Sequence, residues 1–135
     1  MIKERNFKKM FKKELIEISK KNKYSINENE NIITFGKFLY DGMGDGVYFG
    51  NFSADFDYTQ NSYKIKSYIN LDPVPEELVD DFKEYNQTVT YDNEMDALKY
   101  IIEFLGAAYH SSGGSIGSKE MKFKYDIEQL IKKGS

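Results

Sequence analysis

Apolar residues recur at helical spacing near the start of the chain. Between residues 3 and 22 they lie three or four positions apart, and lysines fill much of the remainder. The apolar set is Phe7, Met10, Phe11, Leu15 and Ile18. This spacing places them on one face and predicts an amphipathic α-helix over residues 3–22.

Polar and apolar residues then alternate, as they do on strands that expose one face. Residues 32–40 are rich in strand-forming residues, and residues 47–58 and 63–71 alternate. Residues 41–46 contain three glycines, which suit a hairpin turn. Residues 25–31 are polar and predict a turn. The pattern predicts an antiparallel meander of three strands with one face open to solvent.

The next segment combines helix-start signals with another helical stripe. Prolines at positions 73 and 75 followed by acidic residues predict a helix over residues 75–85. Residues 87–91 predict a short strand. Asp92 or Asn93 is a candidate cap for a helix over residues 93–109, whose apolar residues again recur at spacings of three and four.

The last part of the chain has two interpretations. Met121, Phe123 and Tyr125 alternate with lysines, which predicts a final strand followed by a short helix from Asp126. A continuous helix over residues 119–133 is the alternative. Residues 110–118 between these elements are rich in glycine and serine and predict a loop.

Together these elements predict an α+β fold. We expect an antiparallel sheet of three to five strands, with helices packed on one face and a helix first in the chain. The length of 135 residues favours one domain, which we place at residues 1–133. Residues 134–135 are set aside as a candidate cloning scar.

The amino-acid composition argues against several classes of function. The chain has no cysteine and one histidine, His110, so it lacks the residues for disulfides, thiolate catalysis and common zinc sites. No apolar run approaches the ~18–20 residues that span a bilayer, and no signal peptide is evident. We therefore expect a cytoplasmic protein with no cofactor, no metal and no membrane partner.

Charge is distributed unevenly along the chain. The formal net charge is −3, but residues 1–24 carry nine basic and three acidic residues, while residues 25–110 carry five basic and sixteen acidic ones. Proteins that bind nucleic acid are usually basic across the domain, whereas this chain has an isoelectric point near 5.3. We expect no direct binding of nucleic acid.

Glycine-rich segments match two catalytic or metal-binding patterns only superficially. Residues 113–117 fit G-x-S-x-G, but the lone histidine precedes the serine and a predicted helix precedes the motif. Residues 41–46 have methionine where a calcium loop needs an oxygen ligand. We interpret both segments as loops.

One enzyme hypothesis stays open. Asp55 and Asp57 lie two residues apart on one predicted strand face, so their carboxylates could bind a metal or serve as acid and base. His110 could complete a small hydrolase site. The simpler interpretation makes the aspartates part of a solvated sheet face and His110 the end of a helix.

The clearest functional signal is a run of acidic residues on the predicted helix 75–85. Like charges four positions apart destabilise a helix slightly, so such a face suits a basic partner protein. Tyrosine is enriched at interfaces, and Tyr68 falls on the polar face of its strand. The candidate partner-binding residues are Glu76, Glu77, Asp80, Asp81, Glu84, Asp55, Asp57 and Tyr68.

These features predict a binding protein rather than an enzyme. The small size, α+β fold and acidic, tyrosine-rich middle resemble, in overall profile, the immunity proteins of bacterial toxin systems. Such a protein would cover the active or nucleic-acid-binding groove of a basic partner. Alternatives are a phage-encoded inhibitor that mimics nucleic acid, of the anti-CRISPR type, the small hydrolase above, and an oligomeric structural protein.

Overall fold

The computed structural model describes residues 11–41, 47–72, 85–111 and 121–134. These residues form three helices and five strands. In chain order they are α1 (Phe11–Lys21), β1 (Ser25–Asn29), β2 (Ile32–Asp41), β3 (Val47–Asp57), β4 (Ser62–Asp72), β5 (Gln87–Tyr91), α2 (Glu94–Ser111) and α3 (Met121–Gly134).

The five strands form one antiparallel sheet in which each strand pairs with its neighbour in sequence, in the order β1-β2-β3-β4-β5. The predicted α+β class, with its antiparallel meander and leading helix, is therefore confirmed. The strands predicted at residues 32–40, 47–58, 63–71 and 87–91 are all present, with bounds that differ by at most one residue.

One face of the sheet forms the core. The register aligns Ile33 of β2, Phe56 of β3 and Tyr63 of β4 in one row, and all three are almost fully buried. A parallel row places Ala54 beside Phe35 and Ile65, which are equally buried. Since alternate residues of a strand point to opposite faces, the neighbours of these residues form the other face.

The three helices cover the core face. α1 packs on β1 and β2, α2 packs on β4 and β5, and α3 lies against both α1 and α2. The ring of Phe123 on α3 stacks on Tyr24 with centroids 3.9 Å apart. Phe52 of β3 meets Phe104 of α2 edge to face, so aromatic rings join the helices to the sheet.

The structure of the polar segment at residues 25–31 differs from the predicted turn. Its first five residues form β1, which pairs with β2 from Ser25 opposite Gly36 to Asn29 opposite Ile32. The turn is confined to two residues, and Glu30 takes the positive φ of 55°. The asparagine-rich composition concealed the strand because β1 is an edge with only Ile26 packed against the core.

The favoured interpretation of residues 121–125 as a strand is wrong. They begin the continuous helix α3, which was the alternative. Phe123, Ile127 and Leu130 are buried at helical spacing, whereas Tyr125 is 54% exposed. Lys122 also pairs with Asp126 four residues later at 2.8 Å, a spacing that supports a helix.

The described residues include only part of some other predicted elements. The helix predicted at residues 3–22 is present from Phe11 to Lys21, and residues 1–10 lie outside the described residues. Residues 42–46 of the turn predicted at 41–46 also lie outside them, as do residues 75–84 of the helix predicted at 75–85. The helix predicted at residues 93–109 is confirmed as α2. None of the described helices is long and apolar enough to cross a membrane.

Candidate binding surface

Where the structure describes its side chains, the face of the sheet opposite the helices is polar, and we call it the open face. It alternates with the core face along every strand, so its residues are those with exposed or half-buried side chains between the core residues. Among the described residues these include Thr34, Asn51, Ser53, Asp55, Lys64, Lys66, Tyr68, Thr88 and Thr90.

Tyr68 is a large aromatic residue that the open face exposes. Its side chain is 39% accessible, and the register places it opposite Asn51 of β3. The prediction that Tyr68 lies on the polar face of its strand is thus confirmed. A cleft of about 400 Å³ adjoins it, lined by Asn51, Lys66, Ser67, Tyr68, Asn86, Gln87 and Thr88. An exposed aromatic ring beside an open cleft is a suitable anchor for a protein partner.

Asp55 lies near the centre of the open face and is half-buried. The hydroxyl of Thr34 donates a hydrogen bond to its Oδ1 at 2.9 Å. Lys64 lies directly opposite on β4. Oppositely charged residues at facing positions stabilise a strand pair and offset each other's charge. Asp55 therefore contributes little net negative potential to this face.

Asp57 stabilises the turn at the end of β3. Its Oδ1 accepts hydrogen bonds from the backbone amides of Thr59 at 3.0 Å and Gln60 at 3.1 Å. An aspartate that bonds the amides two and three residues ahead stabilises the turn that follows. The turn links β3 to β4, and its last residue, Asn61, has a positive φ of 52°.

The residues of the hydrolase hypothesis belong to different elements. Asp55 and Asp57 lie on the open face, whereas His110 belongs to α2, which packs on the core face. The sheet therefore separates the aspartates from the helix that carries the histidine. Among the described residues, no three histidine, cysteine, aspartate or glutamate side chains lie close enough to hold a metal ion.

The acidic residues that dominate the prediction, Glu76, Glu77, Asp80, Asp81 and Glu84, lie outside the described residues. The two positions that flank them are described. β4 ends at Asp72, and Tyr85 lies two residues before β5. The hydroxyl of Ser67 donates to the carbonyl of Tyr85 at 2.5 Å and meets the Tyr100 hydroxyl at 2.7 Å. This buried serine fixes the return of the chain to the sheet beside the cleft.

Charge in the described residues is nearly balanced. They contain thirteen basic and fourteen acidic residues, a net charge of −1. The twelve residues 73–84 contain five acidic residues and one lysine, a net charge of −4. The acidity of the chain is thus concentrated in the connection between β4 and β5, while the open face itself carries Lys64 and Lys66.

A buried carboxyl that the sequence analysis did not single out lies on the other side of the sheet. Glu94 is the first residue of α2 and is only 4% exposed. The hydroxyl of Tyr58, directly after β3, donates a hydrogen bond to its Oε2 at 2.5 Å. Asn93 caps the same helix, since its Oδ1 accepts the amides of Met95 at 2.8 Å and Asp96 at 3.3 Å.

Burial sets the protonation of this group. Removal from water raises the pKa of Glu94 to about 8, the Tyr58 hydroxyl partly offsets this, and Glu14 of α1 adds to it. Burial beside Glu94 also raises the pKa of Tyr58 far above its ordinary value and that of Tyr63 to about 12. At neutral pH the carboxyl is therefore mostly protonated, and the pair joins α2 to the sheet as a neutral hydrogen bond.

The sequence did contain a signal for Glu94. It precedes Ala97, Leu98 and Ile101 by three, four and seven positions, so it shares their buried stripe. A carboxyl on an apolar stripe needs a hydrogen-bonding partner, and only the fold shows that this partner is Tyr58. Because the pair is enclosed in the core, we assign it a structural role.

Comparisons of the chain with protein-family models, with curated proteins and with solved structures each found no match.

Proposed function

We propose that the chain is a small binding protein, not an enzyme, that neutralises a basic partner protein by covering its active or nucleic-acid-binding groove. Immunity proteins of bacterial toxin systems act in this way. The observation that carries the proposal is the concentration of negative charge in the connection between β4, which carries the exposed Tyr68, and β5. Residues 73–84 carry a net charge of −4 and connect β4 to β5, and most of the residues that line the Tyr68 cleft belong to those same strands.

The two parts of this surface would contribute differently to binding. The acidic residues of 73–84 would accelerate encounter with a basic surface, an effect of roughly 10- to 10³-fold that salt suppresses. Tyr68 would supply contact area and a hydroxyl at the centre of the interface. Asn51 and Thr88 offer polar groups around the ring. Lys64 and Lys66 would keep the open face from binding basic surfaces indiscriminately.

Capture of the partner tests the proposal. We would use the tagged chain as bait in a lysate of its host at low and at high salt and identify captured proteins by mass spectrometry. We expect one dominant basic protein whose recovery falls as salt rises. The identity of that protein also distinguishes a toxin from an effector that processes nucleic acid.

Two variants test whether capture depends on the acidic segment. Replacement of Glu76, Asp80 and Glu84 by lysine reverses the charge of the acidic segment, and capture should then be lost. The matched control replaces Glu17, Glu103 and Glu128, which lie on the helices α1, α2 and α3, by lysine and changes the net charge equally. Equal capture by both variants, or no basic protein at either salt concentration, would refute the proposed function.

A further inference from the structure

The β1 edge of the sheet is protected by charge. On β1, Glu28 forms an ion pair with Lys12 of α1 at 3.2 Å. The same lysine donates to the carbonyl of Glu30 at 2.6 Å, in the turn that follows β1. Charged side chains along an edge discourage pairing with another strand. The β1 edge is therefore blocked by charge and by the helix beside it.

Among the described residues, the β5 edge lacks this protection. Its sequence, Gln87 to Tyr91, contains no charged residue and no proline. It pairs with β4 without a skipped residue, and within the described part of the chain β4 is the only strand that pairs with it. Half of its backbone donors and acceptors point away from β4. A regular, uncharged edge of this kind can accept another strand.

β5 is also complementary to itself. If two copies pair antiparallel about Val89, Thr88 of one copy lies opposite Thr90 of the other, and Gln87 lies opposite Tyr91. Facing threonines are a favourable pair on a strand surface, and Thr88 and Thr90 are exposed on the open face. The arrangement is a two-fold interface, in which the same patch serves on both copies.

The flanking residues fit the same arrangement. Extension of the pairing by one step places Asn86 opposite Asp92, which brings an amide to a carboxylate and keeps the two aspartates apart. No position from 86 to 92 then faces a like charge across the two-fold axis. β1 differs from β5, because the ion pair of Glu28 with Lys12 places charge at its edge.

We propose that two copies of the chain pair through β5 and form one continuous sheet of ten strands. The open faces of the two copies would then join. Because Thr88 lines the cleft beside Tyr68, Thr90 of the second copy would lie at the rim of that cleft and complete it. The proposal does not rest on the proposed function, since it concerns only the edge of the sheet.

The oligomeric state in solution tests this pairing. We expect sedimentation velocity to show a mass that rises from 15.8 kDa towards twice that value as concentration increases from about 10 µM to about 1 mM, because a five-residue edge forms a small interface. Thr88→Glu combined with Thr90→Glu should abolish the rise. The new carboxylates would lie opposite each other between copies, while Lys66 and Lys64 face them within each copy.

The matched control is Ser25→Glu combined with Asn27→Glu on β1, two exposed positions of the other edge. It should dimerise like the unmodified chain. Hydrogen exchange of residues 87–91 should also slow with concentration, while that of β1 should not. A chain that stays monomeric throughout, or a dimer that survives the β5 substitutions, would overturn the proposal.

Discussion

At the scale of single residues, Glu94 shows how burial changes the chemistry of a carboxyl. Its side chain is enclosed, its hydrogen bond from Tyr58 is short, and its pKa is raised to about 8. The unfolded chain loses this proton near pH 4.5, whereas the folded chain keeps it until about pH 8. The folded state therefore binds more protons over this interval, and its stability falls as pH rises through it.

This linkage gives a specific prediction for Glu94→Gln. The amide stays neutral and can accept the Tyr58 hydroxyl, so the variant should lose the fall in stability between about pH 4.5 and 8. Relative to the unmodified chain it should gain roughly 3–5 kcal/mol at pH 8, at about 1.4 kcal/mol for each unit of difference in pKa. Urea unfolding at several pH values measures both curves.

Glu103→Gln on the same helix provides the control, because Glu103 is exposed. Its curve should run parallel to that of the unmodified chain. If Glu94→Gln shows the same dependence on pH as Glu103→Gln, the assignment of a buried, protonated carboxyl is wrong.

Residue roles were predictable from the sequence where they depend on local pattern, such as alternation along a strand or the Asn93 cap. The position of Tyr68 on the open face followed from its strand pattern and is confirmed. The role of Asp57 did not follow, because its bonds to Thr59 and Gln60 depend on where the turn begins. Glu94 required knowledge of Tyr58, which is 36 residues away.

At the scale of elements, α3 shows how local pattern can mislead. Alternation over Met121 to Tyr125 fits a strand of five residues, but the period of Phe123, Ile127 and Leu130 fits a helix over a longer window. The longer pattern prevails because it buries three side chains on the side of the helix that packs against α1 and α2. β1 shows the converse, since its pairing with β2 compensates for weak strand propensity.

The helical assignment predicts unequal effects for two aromatic residues of α3. Phe123→Ala should destabilise the fold by about 3–5 kcal/mol, because it empties a buried site stacked on Tyr24. Tyr125→Ala should change stability by less than about 1 kcal/mol, since that ring is mostly exposed. Thermal or urea unfolding compares them, and equal losses would contradict the helical assignment.

At the scale of the whole molecule, the two faces of the sheet differ in what covers them. The three helices of the described residues cover one side of the sheet, and the described side chains on the other side are mostly polar. The sequence predicted this division because the strands alternate. It could not predict that Asp55 would be offset by Thr34 and Lys64, which depends on the register. The excess of acid is concentrated in the connection between β4 and β5.

The proposed function therefore depends on a small region of the surface. Tyr68 and the acidic segment 73–84 should act on the same partner, while the helical side should not contribute. Tyr125 provides a comparison for Tyr68, because it is also an exposed tyrosine but lies on α3. Both can be truncated without removal of a buried group.

The most direct test is the affinity of the captured partner for the unmodified chain, Tyr68→Ala and Tyr125→Ala, measured by calorimetry at two salt concentrations. We predict that Tyr68→Ala weakens binding by about tenfold or more, as expected for an interface anchor, that Tyr125→Ala binds like the unmodified chain, and that salt weakens all three. Unchanged affinity of Tyr68→Ala, together with binding that is insensitive to salt, would contradict the account.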